Sequence, residues 1–363
     1  MIRLDPKTLG FALQLTFVLT AAFAAVGQTT PAGPPKYPGP TATPGPVTSP
    51  GPKTPTAKTP PPVPPVNYNY SYNFDGVTTE RVLKADPRIK LDLCITRGTI
   101  RVNGSSDGEV RVFVKNGSKF GFKIHETNTK TGLANWADVY QIAEQKPGFT
   151  FTGECIWGED IEIDLPEAAS ISIKGKDINA SIDTVRRAVV KSIGGALSLR
   201  NISGGIDANT GQGSVLVESS TGTMSLESTN GNIVVIDAGP SESGDTFMAK
   251  TSRGAISLNE LQFRRVDTKS VSGSIAFNGA VLRRAAYSFD TSTGSISLTL
   301  PKDTSCGVQA TYLGKIDSAF PLNIITENVQ PGSVKSINAK LGKGGEASLR
   351  LISNVGSISI KQQ

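Results

Sequence analysis

The residues of this sequence that could do catalytic chemistry are few and scattered. The chain of 363 residues has one histidine, His125, and no Gly-x-Ser-x-Gly sequence to present a nucleophilic serine. A zinc site needs several His or Cys ligands at short spacing, and His125 stands alone among widely separated cysteines. We expect His125 to be exposed on a strand. We predict no catalytic residue, no metal site and no cofactor.

Acidic residues are equally dispersed. Glycosidases and polysaccharide lyases built on β-helices gather carboxylates on one face. Glu218 and Glu227 are nine residues apart, half of the repeat described below, which predicts that they lie on opposite sides of the molecule. Asp207 and Asp237 are isolated and do not belong to the Gly-Gly-x-Gly-x-Asp runs that bind calcium. A carbohydrate-active enzyme on a β-helix therefore remains only an alternative interpretation.

One charge pattern does follow the repeat, and it is basic. The formal net charge is +6, and no dense Lys/Arg run indicates nucleic acid. Lysines recur four residues, and arginine pairs eight to eleven residues, before repeat glycines: Arg186, Arg187, Lys191, Lys250, Arg264, Arg265, Lys269, Arg283 and Arg284. Equivalent places in successive coils are expected to stack into columns. The functional interpretation is a site for an anionic surface polymer, such as acidic polysaccharide, phosphate-bearing lipid headgroups or teichoic acid. The alternative is a solvated flank that blocks edge-to-edge association.

Those residues must be positioned by a repeat of the form Gly-x-apolar-x-apolar. The turn glycines that open its copies are Gly195, Gly213, Gly222, Gly231, Gly254, Gly273, Gly294 and Gly356. The spacings from Gly195 through Gly213 to Gly231 are 18 residues, and those from Gly254 through Gly273 to Gly294 are 19 and 21. Two short strands and two turns in about 20 residues are typical of one β-solenoid coil.

The Gly-x-apolar-x-apolar repeat also predicts which side chains point inward. Side chains alternate along a strand, so the residues two and four after each glycine share one face and are expected to form the core. Each glycine should mark a corner that needs either positive φ or the absence of a Cβ against the next coil. The sequence thus predicts an all-β fold, a single-stranded parallel β-solenoid (β-helix), with a right-handed coil expected.

The N-terminal part reads as an export signal and a spacer. Residues 1–27 have a basic start, an apolar stretch and small residues before Gly27, which predicts a cleaved signal peptide, with a retained signal-anchor as the alternative. Residues 28–66 hold 15 of the 23 prolines and are expected to form a disordered Pro-rich linker. Export places the cysteines in an oxidising compartment. Cys94 and Cys155 could then pair and leave Cys306 over, or all three could be small buried hydrophobes.

The remainder divides into an N-terminal β section with the first coils, 67–165, and the repeat array, 166–363. At the start of the first section, Tyr68, Tyr70, Tyr72 and Phe74 share one strand face. Such a row is expected to cover an end or flank of a β core, with a sugar-stacking platform as the alternative.

Several phrases carry a family resemblance. They are Val271-Ser-Gly-Ser-Ile275, Thr291-Ser-Thr-Gly-Ser-Ile-Ser-Leu298, Asp164-Leu-Pro166, and Gly98-Thr-Ile-Arg-Val-Asn-Gly104 followed by Val110-Arg-Val-Phe-Val114. Over roughly residues 85–363 the chain resembles a bacterial family of exported domains named putative adhesins. The resemblance implies a single-stranded parallel β-helix and supplies no catalytic residues. It also implies a role in adhesion, which for the family itself is an inference.

These observations lead to one functional prediction. The protein is expected to be exported to the periplasm, the outer surface or the medium, and to act there as a non-enzymatic β-solenoid in surface interaction. The expected partner is cell-surface polysaccharide or another envelope component, not nucleic acid. Membrane contact is expected only through an uncleaved N-terminal segment. A second alternative is an architectural, self-assembling solenoid, which an uncapped apolar terminal coil at Gly356–Ile360 would favour. The oligomeric state stays open.

Overall fold

The structure, a computed structural model, describes residues 78–142, 155–328 and 334–363. The predicted signal segment, the Pro-rich linker and the aromatic strand at 67–74 lie outside the described residues. Every regular element in the described ranges is a β-strand, and all of them belong to one mostly parallel sheet. Among these residues, no helix has the length and apolar character that crossing a membrane requires.

The sheet contains 24 strands in the described ranges. In chain order they are β1 (Thr79–Ser105), β2 (Glu109–Lys115), β3 (Phe120–Thr127), β4 (Ala134–Gln141), β5 (Asp160–Pro166), β6 (Ser170–Asp183), β7 (Arg187–Gly194), β8 (Leu197–Arg200), β9 (Ile206–Gln212), β10 (Val215–Thr221), β11 (Met224–Asn230), β12 (Ile233–Gly239), β13 (Phe247–Arg253), β14 (Ile256–Leu261), β15 (Arg265–Ser272), β16 (Ile275–Asn278), β17 (Ala286–Thr293), β18 (Ile296–Leu300), β19 (Cys306–Tyr312), β20 (Ile316–Ser318), β21 (Leu322–Asn328), β22 (Lys335–Leu341), β23 (Ser348–Val355) and β24 (Ile358–Gln362).

Each repeat of about 20 residues supplies two strands, and strands from successive repeats stack in parallel. Stack A contains β7, β9, β11, β13, β15 and β17 in that order. Stack B contains β8, β10, β12, β14, β16 and β18. The long strands β1 and β6 bend through both stacks, and β6 pairs along most of its length with the Lys90–Asn103 part of β1. The fold is therefore solenoid-like, as the spacing of the glycines predicts.

The core lies between the two stacks. Met224 and Leu226 of β11 are buried, whereas Ser225 between them is not, which is the predicted alternation. Towards the C-terminal end the core becomes aromatic, and the ring of Phe277 lies 5.6 Å from that of Tyr287. Aliphatic and aromatic side chains buried in this way each contribute roughly 1.5–3 kcal/mol. A single coil cannot offset its own ordering entropy with so few buried side chains, so the array must fold together.

The glycines mark a corner where successive coils almost touch. A Cβ on Gly213 would overlap the carbonyl oxygen of Gly195, and the same relation links Gly356 to Gly294. Of the predicted turn glycines, only three have positive φ: Gly195 (98°), Gly213 (145°) and Gly222 (102°). Close approach between coils is therefore the general reason for glycine at this corner. Gly222 lies at the other corner, against the backbone of Gly205.

A buried row of hydroxyls lies beside this glycine corner, and sequence reasoning missed it. Three residues before six of the eight turn glycines, a Ser or Thr side chain donates a hydrogen bond to the carbonyl oxygen of the glycine in the preceding coil. Examples are Thr291 to Gly273 at 2.8 Å and Ser353 to Gly294 at 2.7 Å. The further members are Thr210, Ser228, Thr251 and Ser270. The signal was present in the sequence as a constant Ser/Thr-x-x-Gly spacing.

Both ends of the array depart from sequence order. At the N-terminal end, β1 lies inside, and β4 and β5 cover it. At the C-terminal end, β23 inserts between β17 and β19, and β24 inserts between β18 and β20. Gly356–Ile360 is thus an internal part of the array, so the uncapped terminal coil that self-assembly was expected to use does not exist. Beyond β19, the antiparallel strands β22 and β21 extend stack A.

Candidate functional site

The lysines expected in a column lie on the outer face of stack A. Lys250 is directly opposite Lys269 on the next strand, as stacking predicts. The same row is acidic on either side, because Glu227 is opposite Lys250 and Asp290 is opposite Lys269. Lys191 is in this row three strands away from Lys250, with Glu227 between them. The lysine row therefore contains two separate like-charged pairs: Lys250–Lys269, which lies between carboxylates, and Lys174–Lys191 on β6 and β7.

The arginines are also dispersed. Arg187 and Arg265 lie on β7 and β15, and three strands of stack A separate them. Arg283 and Arg284 lie outside the strands, and their Nε atoms both donate to Glu346, at 2.9 and 3.0 Å. The expected continuous columns of like charge do not form. Uncharged or acidic residues occupy the intervening coils, since the repeat conserves shape and not charge.

Ion pairing divides the basic residues further. Lys191 lies 3.8 Å from Asp207, and Lys269 lies 4.0 Å from Asp290. Within the described ranges, no ion pair involves the other members: Arg186, Arg187, Lys250, Arg264 and Arg265. The charges of these five side chains are therefore not neutralised by a neighbouring carboxylate and can interact with solvent or a ligand.

Arg265 belongs to an open groove on the outer face of stack A. The groove has a volume of about 670 Å³ and crosses β15, β17, β23, β19, β22 and β21. Arg265 and Arg350 line it, together with Asp267, Gln309 and Asn338. No ion pair to a described residue involves either arginine. We call this surface the arginine groove. The repeat could not have revealed it, because β23 reaches this position only through the inserted order of the strands.

The acidic residues remain apart, as the half-coil spacing predicts. Glu218 lies on β10 of stack B, where Arg200 donates to it. Glu227 lies on β11 of stack A, where Asn209 donates to it at 2.8 Å. Among the described residues, no group of three or more His, Cys, Asp or Glu side chains could hold a metal ion.

His125 and Trp136 form a closed polar cluster near the N-terminal end of stack A. His125 bonds Asp138, and its ring lies 4.6 Å from the indole of Trp136. The Lys90 ammonium lies 4.6 Å from the same indole, and the indole Nε1 donates to Asp92 at 2.7 Å. Lys90 and His125 come from the strands on either side of Trp136, so this ring already has a partner on each neighbouring strand. His125 is exposed on a strand, as predicted.

The cysteines divide as the sequence allowed. Cys94 and Cys155 form a disulfide that links positions 61 residues apart, with a Cα–Cα distance of 4.4 Å. Cys306 is a buried free thiol, and burial raises its pKa to about 11. The disulfide lies one residue before Ile156, whose backbone bonds both Cys94 and Thr96.

A second cleft lies next to the disulfide, and sequence reasoning missed it. Trp157 is 40% exposed and lines a cleft of about 520 Å³. Arg97, Asn116, Glu159 and Asp177 also line this cleft. We call it the Trp157 cleft. Four separate segments form it, so only the position of Trp157 between a cysteine and a glycine could have indicated it.

Comparisons with known proteins give a likeness of structure only. No protein-family model and no curated protein sequence matches the chain. The structure is similar to a putative cell adhesion protein from Clostridium sporogenes, at 13% identity and a TM-score of 0.25, over 79% of this chain and 100% of that one. It is similar to a putative adhesin from Parabacteroides distasonis, at 11% identity and a TM-score of 0.33, over 78% and 98%.

A third similar structure carries a different name. It is a putative lipid binding protein from Parabacteroides distasonis, at 10% identity and a TM-score of 0.31, over 79% of this chain and 97% of that one. The adhesin names agree with the family that the sequence resembles. At these TM-scores we base no functional argument on the likeness.

Proposed function

We propose that this protein is an exported, non-enzymatic β-solenoid that binds an anionic surface polymer of the cell envelope in the arginine groove. The observation that carries the proposal is the pair Arg265 and Arg350, which line one open groove without a carboxylate partner. Uncompensated guanidinium groups are suited to carboxylate, sulfate or phosphate groups, which they contact through paired N–H donors.

The shape of the groove supports an extended ligand. It crosses six neighbouring strands, and five interstrand spacings of about 4.8 Å give a length of roughly 24 Å. That length accommodates several units of a polymer. Gln309 on β19 and Asn338 on β22 add neutral donors and acceptors beyond Arg350, on the side away from Arg265. Asp267 is the one acidic residue that lines the groove, and it leaves a net charge of +1.

Charge reversal with a position-matched control tests this function. The full chain is passed over immobilised polygalacturonate and over neutral dextran at low and high salt. We expect retention on polygalacturonate only, and weaker retention as salt rises. R265E/R350E should bind at least about tenfold more weakly. The matched control, R186E/R264E, changes the net charge equally but lies outside the groove, and it should retain most binding.

Two results would contradict the proposal. One is equal loss in both double variants, which would indicate a diffuse effect of net charge. The other is undiminished retention of R265E/R350E with a native thermal transition, which would show that the groove takes no part.

A further inference from the structure

The Trp157 cleft differs from the arginine groove in charge and in its aromatic residue. Arg97 contributes one positive charge, and Glu159 and Asp177 contribute two negative charges, so its net charge is −1. An anionic polymer is therefore disfavoured at this site. The Trp157 cleft should therefore bind a ligand of a different class, independently of the arginine groove.

The indole of Trp157 is available to a ligand, in contrast to that of Trp136. The nearest cation is the Arg97 guanidinium, 5.9 Å from the centre of the Trp157 ring, close to the limit of a cation–π contact. Among described residues, the indole Nε1 has no hydrogen-bond acceptor. Trp157 thus presents an open ring and a free donor to the cleft.

The backbone that carries the ring is held on both sides of Trp157 before any ligand arrives. The Trp157 carbonyl oxygen accepts from the Ser118 amide at 2.8 Å, and the Trp157 amide donates to Ser118 Oγ at 3.0 Å. On the other side, Ile156 pairs through its backbone with β1, at 2.8 and 2.9 Å, next to the disulfide at Cys155. Because this backbone is already ordered, binding at Trp157 costs little backbone entropy, which favours affinity.

The polar groups around the ring offer both acceptors and donors. Glu159 accepts one bond, from Asn116 at 2.8 Å, and keeps lone pairs free. The side-chain oxygen of Asn179 accepts the Ala196 amide at 2.9 Å, so the amide nitrogen of Asn179 remains a donor. Carboxylates and amides beside an exposed aromatic face match a pyranose, which has C–H groups on its faces and hydroxyls at its edge.

We propose that the Trp157 cleft is a binding site for neutral glycan, in which the indole of Trp157 stacks on one pyranose ring while Glu159, Asp177, Arg97 and Asn179 bond its hydroxyls. The ligand class is an uncharged oligosaccharide of glucose or N-acetylglucosamine type. We propose binding only, and we assign no proton transfer to the carboxylates of the cleft.

Fluorescence and calorimetric titration of the full chain test this site. Cellohexaose, chitohexaose and maltohexaose are the probes, and polygalacturonate is the charged comparison. The chain has two tryptophans. In a W136F background, Trp157 is then the reporter, and a bound sugar ring should quench or shift its emission. We expect at least one neutral probe to bind at micromolar to millimolar concentration.

Variants then locate the binding. W157A should weaken neutral-probe binding at least about tenfold, and W157F, which keeps an aromatic face, should weaken it only about two- to threefold. Y140A is the matched control, because Tyr140 is 39% exposed but lies outside the cleft. It should bind as the wild type does. The thermal transition of each variant checks that it is folded.

The results separate this inference from the proposed function. W157A should retain binding to polygalacturonate, and R265E/R350E should retain binding to the neutral probe. A folded W157A that binds the neutral probe as tightly as wild type would overturn the inference. Absence of binding by wild type to all three neutral probes would overturn it as well, whatever the result with polygalacturonate.

Discussion

The two ends of the solenoid are both covered by strands from nearer the middle of the chain, but different bonds hold the two covers in place. At each end, a strand or coil that comes first or last in the sequence lies inside the array, and a segment nearer the middle of the chain covers it. At the N-terminal end the cover is tied to β1 by the Cys94–Cys155 disulfide. At the C-terminal end, Cys306 is a buried free thiol, and the described contacts are strand pairing, packing and the ion pairs of Glu346.

The comparison teaches how a repeat fold acquires individual sites. Coils in the middle of the array repeat one geometry, so any one coil offers the same surface as its neighbours. At the ends, segments distant in sequence converge, and both candidate sites lie there. The disulfide-linked end presents an exposed tryptophan, whereas the other end presents two arginines between a coil and its antiparallel extension.

Among the changes that test this difference between the ends, removal of the disulfide should cause the largest loss of stability. The bond closes a loop between positions 61 residues apart. C94S/C155S should therefore lower the free energy of unfolding by about 4 kcal/mol. Urea unfolding measures the change. Hydrogen exchange should show faster opening of β4 and β5, with β23 and β24 unchanged.

The third cysteine supplies the control for that experiment. C306A removes a buried sulfur but no cross-link, and it should cost about 1 kcal/mol. Equal exchange changes at both ends in C94S/C155S would contradict the view that the disulfide holds one end in particular.

Substitution of Gly356 should have the next largest effect, at the opposite end. A Cβ here would overlap the carbonyl oxygen of Gly294, so G356A must displace the inserted coil from β18. We expect a loss of about 3 kcal/mol, and faster exchange in β24 and β20. G108A is the matched control, because a Cβ on Gly108 has no heavy atom within 4 Å. A G356A variant as stable as G108A would show that the inserted coil tolerates displacement.

The Glu346 ion pairs should give the smallest effect, and that effect depends on pH. Hydrogen bonds from Arg284 and then Arg283 hold the pKa of Glu346 below its usual value of 4.5. Because the folded pKa is depressed, this contribution is present above the unfolded pKa and is lost as pH falls through the folded pKa. E346Q should therefore have a slightly lower melting temperature than wild type at pH 7.

The pH series completes that test. The difference between wild type and E346Q should shrink as pH falls below 4.5 towards 3, because the carboxyl group then becomes neutral in both states. A difference that persists unchanged at pH 3 would assign the effect of E346Q to packing instead of charge.

Much of the fold could be predicted from local patterns. The alternation around Met224 and Leu226 predicted which side chains are buried, and the spacing of Gly195, Gly213 and Gly231 predicted one corner per coil. The hydroxyl row at Thr210 and its equivalents was equally regular in sequence, but its role depends on a carbonyl oxygen in the preceding coil. Sites were harder to predict, since the basic residues followed the repeat without forming a continuous column.

The sequence by itself determined the coil: its length, its glycine corner and its inward-facing residues, because these depend on contacts between neighbours in the chain or one repeat away. Only the tertiary structure decided the order of stacking at the ends, and hence which residues meet there. Arg265 and Arg350 line one groove because β23 inserts beside β17. Trp157 and Arg97 line one cleft because β5 covers β1. The groove and the cleft both depend on long-range strand pairing, which has no fixed spacing in sequence.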